Sequence, residues 1–227
     1  MKNILVPIGS TESAQKTLQY AIDFASEINA KVFVFRAYSS QTKAGTMINV
    51  DAIIERETSL YLRTMVSACD IKNVEIKLIS AKGSVVDSVK AIDQELGIDL
   101  VIVGTKSNSI KEGLFLGRTA GKLVKQADIA ILAVPEGYKF QPISSVLMAF
   151  KSGIVKSKTA VKPLNFIIDK FKAEVNLLLV KTPKYKEDML CVFTRKRGFF
   201  KKLWEKNTIL KEEFYSNVPL LVLKGKS

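Results

Sequence analysis

The chain has 227 residues, 47% hydrophobic and 25% charged, with a formal net charge of +13, no histidine and two cysteines, Cys69 and Cys191. This is the composition of an ordinary folded protein of one large or two small domains, and it excludes disordered, collagen-like and coiled-coil classes. No apolar run approaches the roughly 20 residues of a membrane helix, and the opening Met1-Lys2-Asn3-Ile4 lacks a signal-peptide pattern, so a cytoplasmic protein is expected.

Strands and helices alternate from the start. Ile4 to Ile8 is an apolar, strand-length run. Residues 12–28 follow, with Leu18, Ala21, Ile22, Ala25 and Ile28 at helical spacing. Val32 to Phe35 reads as strand two, and residues 51–68, with Ile53, Ile54, Leu60, Tyr61 and Met65, as a second helix. Val74, Ile76 and Leu78 alternate with polar residues, as in a strand with one wet face. Ser84 is a fair N-cap for a third helix. Leu100 to Val103 and Ile129 to Val134 are strands four and five, with a helix near 118–127 between them. Strands alternating with helices predict a doubly wound parallel α/β sheet. In the order 3-2-1-4-5 the half-wet strand three falls on the edge.

The second half repeats the first. A shift of 89 residues lays Asp99 to Lys106 on Asp188 to Arg195, and Asp128 to Val134 on Asn217 to Leu223. The opening recurs as Val146 to Phe150, a helix near 156–172, and Val175 to Val180. The repeat is shortened, because only Lys181 to Asp188 separates its strands two and four. A truncated second copy of the unit, in order 2-1-4-5, is therefore expected. Its apolar surface should pack on the first domain or on a second chain. The predicted domains are 1–137 and 143–227, linked by 138–142.

Without histidine there is no Ser-His-Asp or Cys-His pair and no histidine-ligated metal. Two lone thiols build no zinc site, and both cysteines read as small core residues. Residues 1–142 carry 17 basic and 15 acidic side chains, whereas 143–227 carry 18 and 7. That asymmetry points to an acidic partner for the second half or, more simply, to solubility.

Ligands of open α/β sheets bind at the carboxyl ends of strands where the strand order reverses, here between strands one and four. Strand one ends at Pro7-Ile8-Gly9 and strand four at Val103-Gly104, while Gly117-Arg118-Thr119-Ala120 opens the next helix. A helix start offers unpaired N–H groups and a positive dipole end to phosphate. No Gly-Lys-Ser/Thr ends the loop, so it is not a P-loop. A plainer reading gives Gly104 and Gly117 to tight strand-to-helix turns, and Ser10 or Thr11 to the N-cap of the first helix.

The stretches from Lys2 to Ile8, Val101 to Ala120 and Ile131 to Pro135 resemble the universal stress proteins in their tandem two-domain form, and Thr194 to Phe200 is similar to the family's weaker second copies. The resemblance covers the first half end to end. It implies an adenine nucleotide alpha hydrolase-like fold, a non-enzymatic stress or regulatory role, and dimers through the fifth strand. Here that pairing is expected within the chain as a pseudo-dimer, between chains as a homodimer, or both. ATP or AMP is the implied ligand, with magnesium only as the nucleotide's companion. Pro7, Ile8 and Ala37 would line the adenine side, with Gly9, Val103, Gly104, Ser107, Gly117, Arg118, Thr119 and Ala120 completing the site.

Nucleotide-binding members carry glycine, two residues, glycine, nine residues, then Gly-Ser or Gly-Thr. Positions 104, 107 and 117 keep that spacing. Ser107 replaces the middle glycine, Arg118 the hydroxyl residue, and Gly9 the aspartate that the family places near the ribose. Ser107 adds a Cβ where backbone meets phosphate, although its hydroxyl is a donor. Arg118 can offer phosphate a charge-assisted fork. Losing the aspartate removes about 1–3 kcal/mol of ribose recognition. In the second copy Phe193 falls on Gly104, Lys196 on Ser107 and Lys206 on Gly117, so no second nucleotide pocket is expected. The loop there, from Arg195 to Trp204, is basic and aromatic. Such a loop can take single-stranded nucleic acid, acidic lipid or an acidic protein surface, or else its aromatics face a core and its charges are solvated; of these partners an acidic protein is kept and nucleic acid is not expected.

Two readings of function stand: a nucleotide-responsive regulatory module with its only site in the first domain, and a nucleotide-independent interaction protein acting through the basic second half. A slow ATPase ranks third, for want of a catalytic base or metal cluster. Under the first, Gly104→Val is expected to abolish ligand-induced thermal stabilisation. Under the second, neutralising Arg195, Lys196 and Arg197 is expected to lose partner capture.

Overall fold

Helices and strands alternate through the first half as β1 (Asn3–Pro7), α1 (Ser13–Ile28), β2 (Lys31–Tyr38), α2 (Val50–Ser67), β3 (Ile76–Lys82), α3 (Val85–Leu96), β4 (Leu100–Gly104), α4 (Gly117–Gln126) and β5 (Ile131–Val134). The second half contributes β6 (Ser145–Phe150), α5 (Lys162–Phe171), β7 (Glu174–Leu179), β8 (Met189–Thr194) and β9 (Leu220–Lys224). The computed structural model describes residues 1–10, 13–39, 50–105, 117–150, 160–179, 188–194 and 218–224. Its strands form one nine-stranded sheet in the order β3-β2-β1-β4-β5-β9-β8-β6-β7. The first half keeps the expected 3-2-1-4-5, with half-wet β3 on the edge. The second half, β7-β6-β8-β9, keeps 2-1-4-5.

The chain builds a two-faced core because its strands are apolar on both sides. Ile4, Val6, Val32 and Val34 pack with Leu18, Ile22 and Phe24 of α1 and Leu62 of α2. Leu5, Phe33, Phe35, Val101 and Val103 pack on the opposite face with Val86 and Val89 of α3 and Leu123 of α4. Ser84 caps α3 as expected, accepting from the Asp87 N–H at 3.2 Å, and Gly97 ends that helix in the left-handed region, φ 61°.

Two helices differ from the sequence reading. In α2, Ile53 and Leu60 are about half exposed rather than core-facing. α5 begins at Lys162, with Pro163 in its first turn, after a turn at 160–161; the expected start near 156 lies outside the described residues. A proline seven residues inside a helix would lack its N–H and clash with the preceding turn, whereas in the first turn it loses nothing.

The halves join through β5 and β9, which run antiparallel. Leu132 pairs with Leu221, Ile131 with Val222 and Ala133 with Leu220. The 89-residue shift maps Leu132 onto its own partner and exchanges the other two pairs. The seam therefore has local two-fold symmetry, as in an isologous dimer contact.

Both halves also share one latch. Asp99, just before β4, accepts from the N–H groups of Lys2 and Asn3 at 2.6 and 3.0 Å, at the start of β1. Asp188, its counterpart before β8, accepts from those of Ser144 and Ser145 at 2.9 and 3.1 Å, at the start of β6. The hydroxyls of Ser144 and Ser145 add two more donors at 2.6 and 3.3 Å. Desolvation raises the Asp188 carboxyl, but these bonds outweigh it and hold the group below the ordinary aspartate value. A carboxyl depressed in the folded state contributes stability above its unfolded pKa of about 3.9 and loses it as pH falls through the folded value. Asp188→Asn is thus expected to destabilise the protein at neutral pH, with the gap to wild type closing below about pH 4. Denaturant unfolding at several pH values checks this.

Within residues 138–142, the expected linker, Tyr138 and Phe140 are half-buried while Lys139, Gln141 and Pro142 are exposed. Phe140 lies 5.6 Å from Tyr20 and 5.9 Å from Phe24, ring centre to ring centre, and 6.2 Å from Phe171 at the end of α5. Tyr138 lies 6.1 Å from Tyr20. The aromatic cluster thus ties α1 of the first half to α5 of the second.

Candidate functional site

The sheet order reverses beside β1, which lies between β2 and β4, and its carboxyl end leads into the start of α1. Pro7 pairs with Phe35 of β2, and the Ile8 N–H donates to the Phe35 carbonyl at 2.7 Å. Val103 and Gly104 pair with Ala133 and Val134 of β5. Gly117 is the first residue of α4, so its N–H is one of the amides without a partner inside the helix.

The expected site residues divide into an open set and a core set. Gly9, Gly104 and Thr119 are exposed, and Pro7 and Ala37 are half-buried. Ile8, Val103 and Ala120 are buried. Ile8 packs in the α1/α2 core, whereas Ala37 leans on the α3/α4 core. The two therefore sit on opposite faces of the sheet and do not line one wall together with their side chains. Ser107 lies outside the described residues, as do Thr11, Lys196, Lys206 and the stretch 195–206. Gly117 and Arg118 are placed as the first two residues of α4.

Gly104 has a reason that turn geometry does not supply. A Cβ there would collide with Oγ1 of Thr17 and lie 3.4 Å from its Cβ. Thr17 is buried, and its hydroxyl donates back to the Ser13 carbonyl at 3.2 Å. Ser13, Thr17, Ala21 and Ala25 recur every fourth residue along the buried side of α1, a stripe of small residues that lets the helix approach β4 closely. Gly104→Val therefore strains the packing of α1 as well as any ligand contact, and does not read binding alone.

A second constellation went unnoticed in the sequence. At the end of β2, Arg36 breaks the apolar run. Its guanidinium lies over the Tyr61 ring, 4.1 Å from the centroid, and its Nη2 donates to Ser10 Oγ at 3.0 Å. The Tyr61 hydroxyl donates to the Gly9 carbonyl at 3.1 Å. Ser10, one of the two expected N-caps of α1, accepts from Arg36; the other, Thr11, lies outside the described residues. The signal was a lone arginine between Phe35 and Ala37, at the end of the apolar run Val32 to Phe35.

The thiols offer no reactive nucleophile. Cys191 is fully buried, which drives its pKa far up. Cys69 is raised too, by desolvation and by Asp23, and its Sγ donates to the Met65 carbonyl at 3.3 Å. Among the described residues no group of three or more His, Cys, Asp or Glu side chains could hold a metal ion, and no helix is long and apolar enough to cross a membrane.

Residues 1–135 match the family model described as "Universal stress protein family". Universal stress protein G of Shigella flexneri is 36% identical over 81 residues, 36% of this chain and 56% of that protein, so the chain spans little more than half the length of that relative. Universal stress protein G of Salmonella typhimurium is 26% identical over 141 residues, covering 59% of this chain and 98% of its own. Among solved structures, a universal stress protein from Archaeoglobus fulgidus superposes with a TM-score of 0.63 at 16% identity, over 98% of this chain and 96% of its own. A functionally unknown protein, PA1789 from Pseudomonas aeruginosa, gives a TM-score of 0.60 at 14% identity, over 99% and 92%. Both likenesses are of fold.

Proposed function

The chain belongs to the universal stress protein family, and from that premise we propose that it is a non-catalytic regulatory module whose first half binds an adenine nucleotide at the carboxyl ends of β1 and β4. The observation that carries this reading is the reversal of strand order at β1, with Gly9 and Gly104 exposed at the strand ends and the amide end of α4 opening at Gly117. Arg118, second in α4, supplies the charge-assisted phosphate contact in place of the family's small hydroxyl residue.

The second half is a shortened copy, whose β9 takes the place of the β5 edge of a partner chain. Support comes from the repeated strand order, the paired Asp99 and Asp188 latches and the locally symmetric β5–β9 seam. On this reading the chain makes within itself the fifth-strand pairing that the family resemblance implies between chains.

Photolabelling tests the reading. A photoreactive 8-azido adenine nucleotide is expected to label peptides from residues 1–39 or 100–126, with excess unlabelled AMP or ATP protecting them. Labelling confined to 143–227, or labelling that nucleotide does not compete, would move the function to the basic second half.

A further inference from the structure

We infer that the corner where β1 and β2 end is an oxyanion site, formed by Arg36 and Ser10 and held in shape by Tyr61, that takes a phosphoryl group. It lies on the β2 side of β1, whereas the start of α4 follows β4 on the other side, so it is separate from the phosphate contact assigned to Arg118.

Four observations converge on the corner. Arg36 Nη1 is enclosed and finds no hydrogen-bond partner in the protein. No described carboxylate lies within ion-pair distance of Arg36. A guanidinium is charged at every physiological pH, and a buried donor without a protein acceptor calls for an acceptor from outside the chain. Next, the guanidinium is held rather than free, stacked on Tyr61 with Nη2 donating to Ser10. Because Ser10 Oγ accepts that bond, its own O–H is available to a ligand. Third, Gly9 leaves room, since a Cβ built there has no heavy atom within 4 Å. Fourth, α1 starts at Ser13 with no acidic side chain in its first turn, so its positive end adds to the field. Thr11 and Glu12, between Ser10 and α1, lie outside the described residues.

A planar fork of N–H donors, a serine hydroxyl and a helix start together match a tetrahedral oxyanion better than a planar carboxylate or a neutral group. The group is either free inorganic phosphate or the phosphoryl end of a larger monoester, and the chemistry at the corner is the same for both.

The test is calorimetric titration with inorganic phosphate in one arm and AMP in the other, repeated on Arg36→Met, Arg36→Lys and Gly9→Asp. Each variant's thermal midpoint is recorded first, so that loss of binding is not confused with loss of fold. Arg36→Met is expected to weaken whichever ligand binds by about tenfold or more, and Arg36→Lys to weaken it less, because it keeps the charge but not the fork. Gly9→Asp leaves Arg36 and its stack in place but sets a carboxylate beside the guanidinium, so it too should abolish binding.

Phosphate binding that depends on Arg36 identifies a free-anion site. AMP binding that depends on Arg36, without phosphate binding, identifies a monoester site. The inference is overturned if neither ligand binds wild type, or if all three variants bind like wild type while Lys90→Met, at a remote exposed cation, does the same. The nucleotide reading is judged separately: it fails if photolabelling misses the first half, and a Gly9→Asp protein that gains AMP affinity would favour it while refuting the oxyanion corner.

Discussion

Phe24→Ala should lower stability by about 3–5 kcal/mol, the usual effect of emptying a buried phenylalanine site. Phe24 is completely buried and touches the rings of both Phe140 and Phe171, 5.9 and 6.0 Å away between centroids. It therefore packs at once against its own half, the 138–142 segment and the end of α5. At about 2–4 °C per kcal/mol for a chain of this size, the melting midpoint should fall by roughly 6–20 °C, in one transition followed alike by circular dichroism and intrinsic fluorescence. Trp204 is the only tryptophan and reports from the second half. A loss below about 1 kcal/mol, the level of a surface change, would mean that the aromatic cluster does not hold the halves together.

Gly104→Val should also be costly, through α1 rather than through a ligand. The added Cβ meets Oγ1 of Thr17, a β-branched residue with little rotamer freedom in a helix, so helix or strand must shift. Overpacking of this kind costs about 1–3 kcal/mol for one methyl and more for a branched side chain. Thr17→Ala removes the obstructing hydroxyl, so the Gly104→Ala/Thr17→Ala pair should recover most of what Gly104→Ala loses. The double-mutant cycle would show coupling of about 0.5–3 kcal/mol, as neighbours in contact do. Additive losses would mean that the glycine answers to backbone conformation and not to the approach of α1.

Much of the fold was legible because strand and helix periods are distinct and the strands of a covered sheet are apolar on both faces. Ser84 was visible because a cap acts on backbone close in sequence, whereas Asp99 and Asp188 were legible only as matching positions of the repeat, and their bonds to the starts of β1 and β6 came with the fold. What the pattern did not yield depends on contacts distant in the chain. The family resemblance places Ile8 and Ala37 together on the adenine side, and only the fold shows that their side chains pack on opposite sides of the sheet. Glycine at 104 looked like a turn residue because its neighbour in space, Thr17, is far away in sequence. Arg36, Tyr61, Ser10 and Gly9 come from three separate segments, and only folding brings them together. The antiparallel seam was implicit in the 89-residue repeat, yet its symmetry emerges only once Leu132 and Leu221 are seen paired.

Pro163 is a local signal for the start of α5, because proline is tolerated only in a helix's first turn. The departures at Gly9 and Arg118 carry more meaning in space than in sequence. Gly9 leaves room next to Ser10, the residue that accepts from Arg36, and Arg118 follows Gly117 at the start of α4.

The most direct measurement is isothermal titration of nucleotide-stripped protein with ATP, ADP and AMP, with and without magnesium. Saturable binding with a stoichiometry near one per chain is the predicted result, because only the first half keeps the glycines at 104 and 117. No heat at millimolar nucleotide, under conditions where the fold is intact, would contradict it and leave the basic second half as the place where this protein acts.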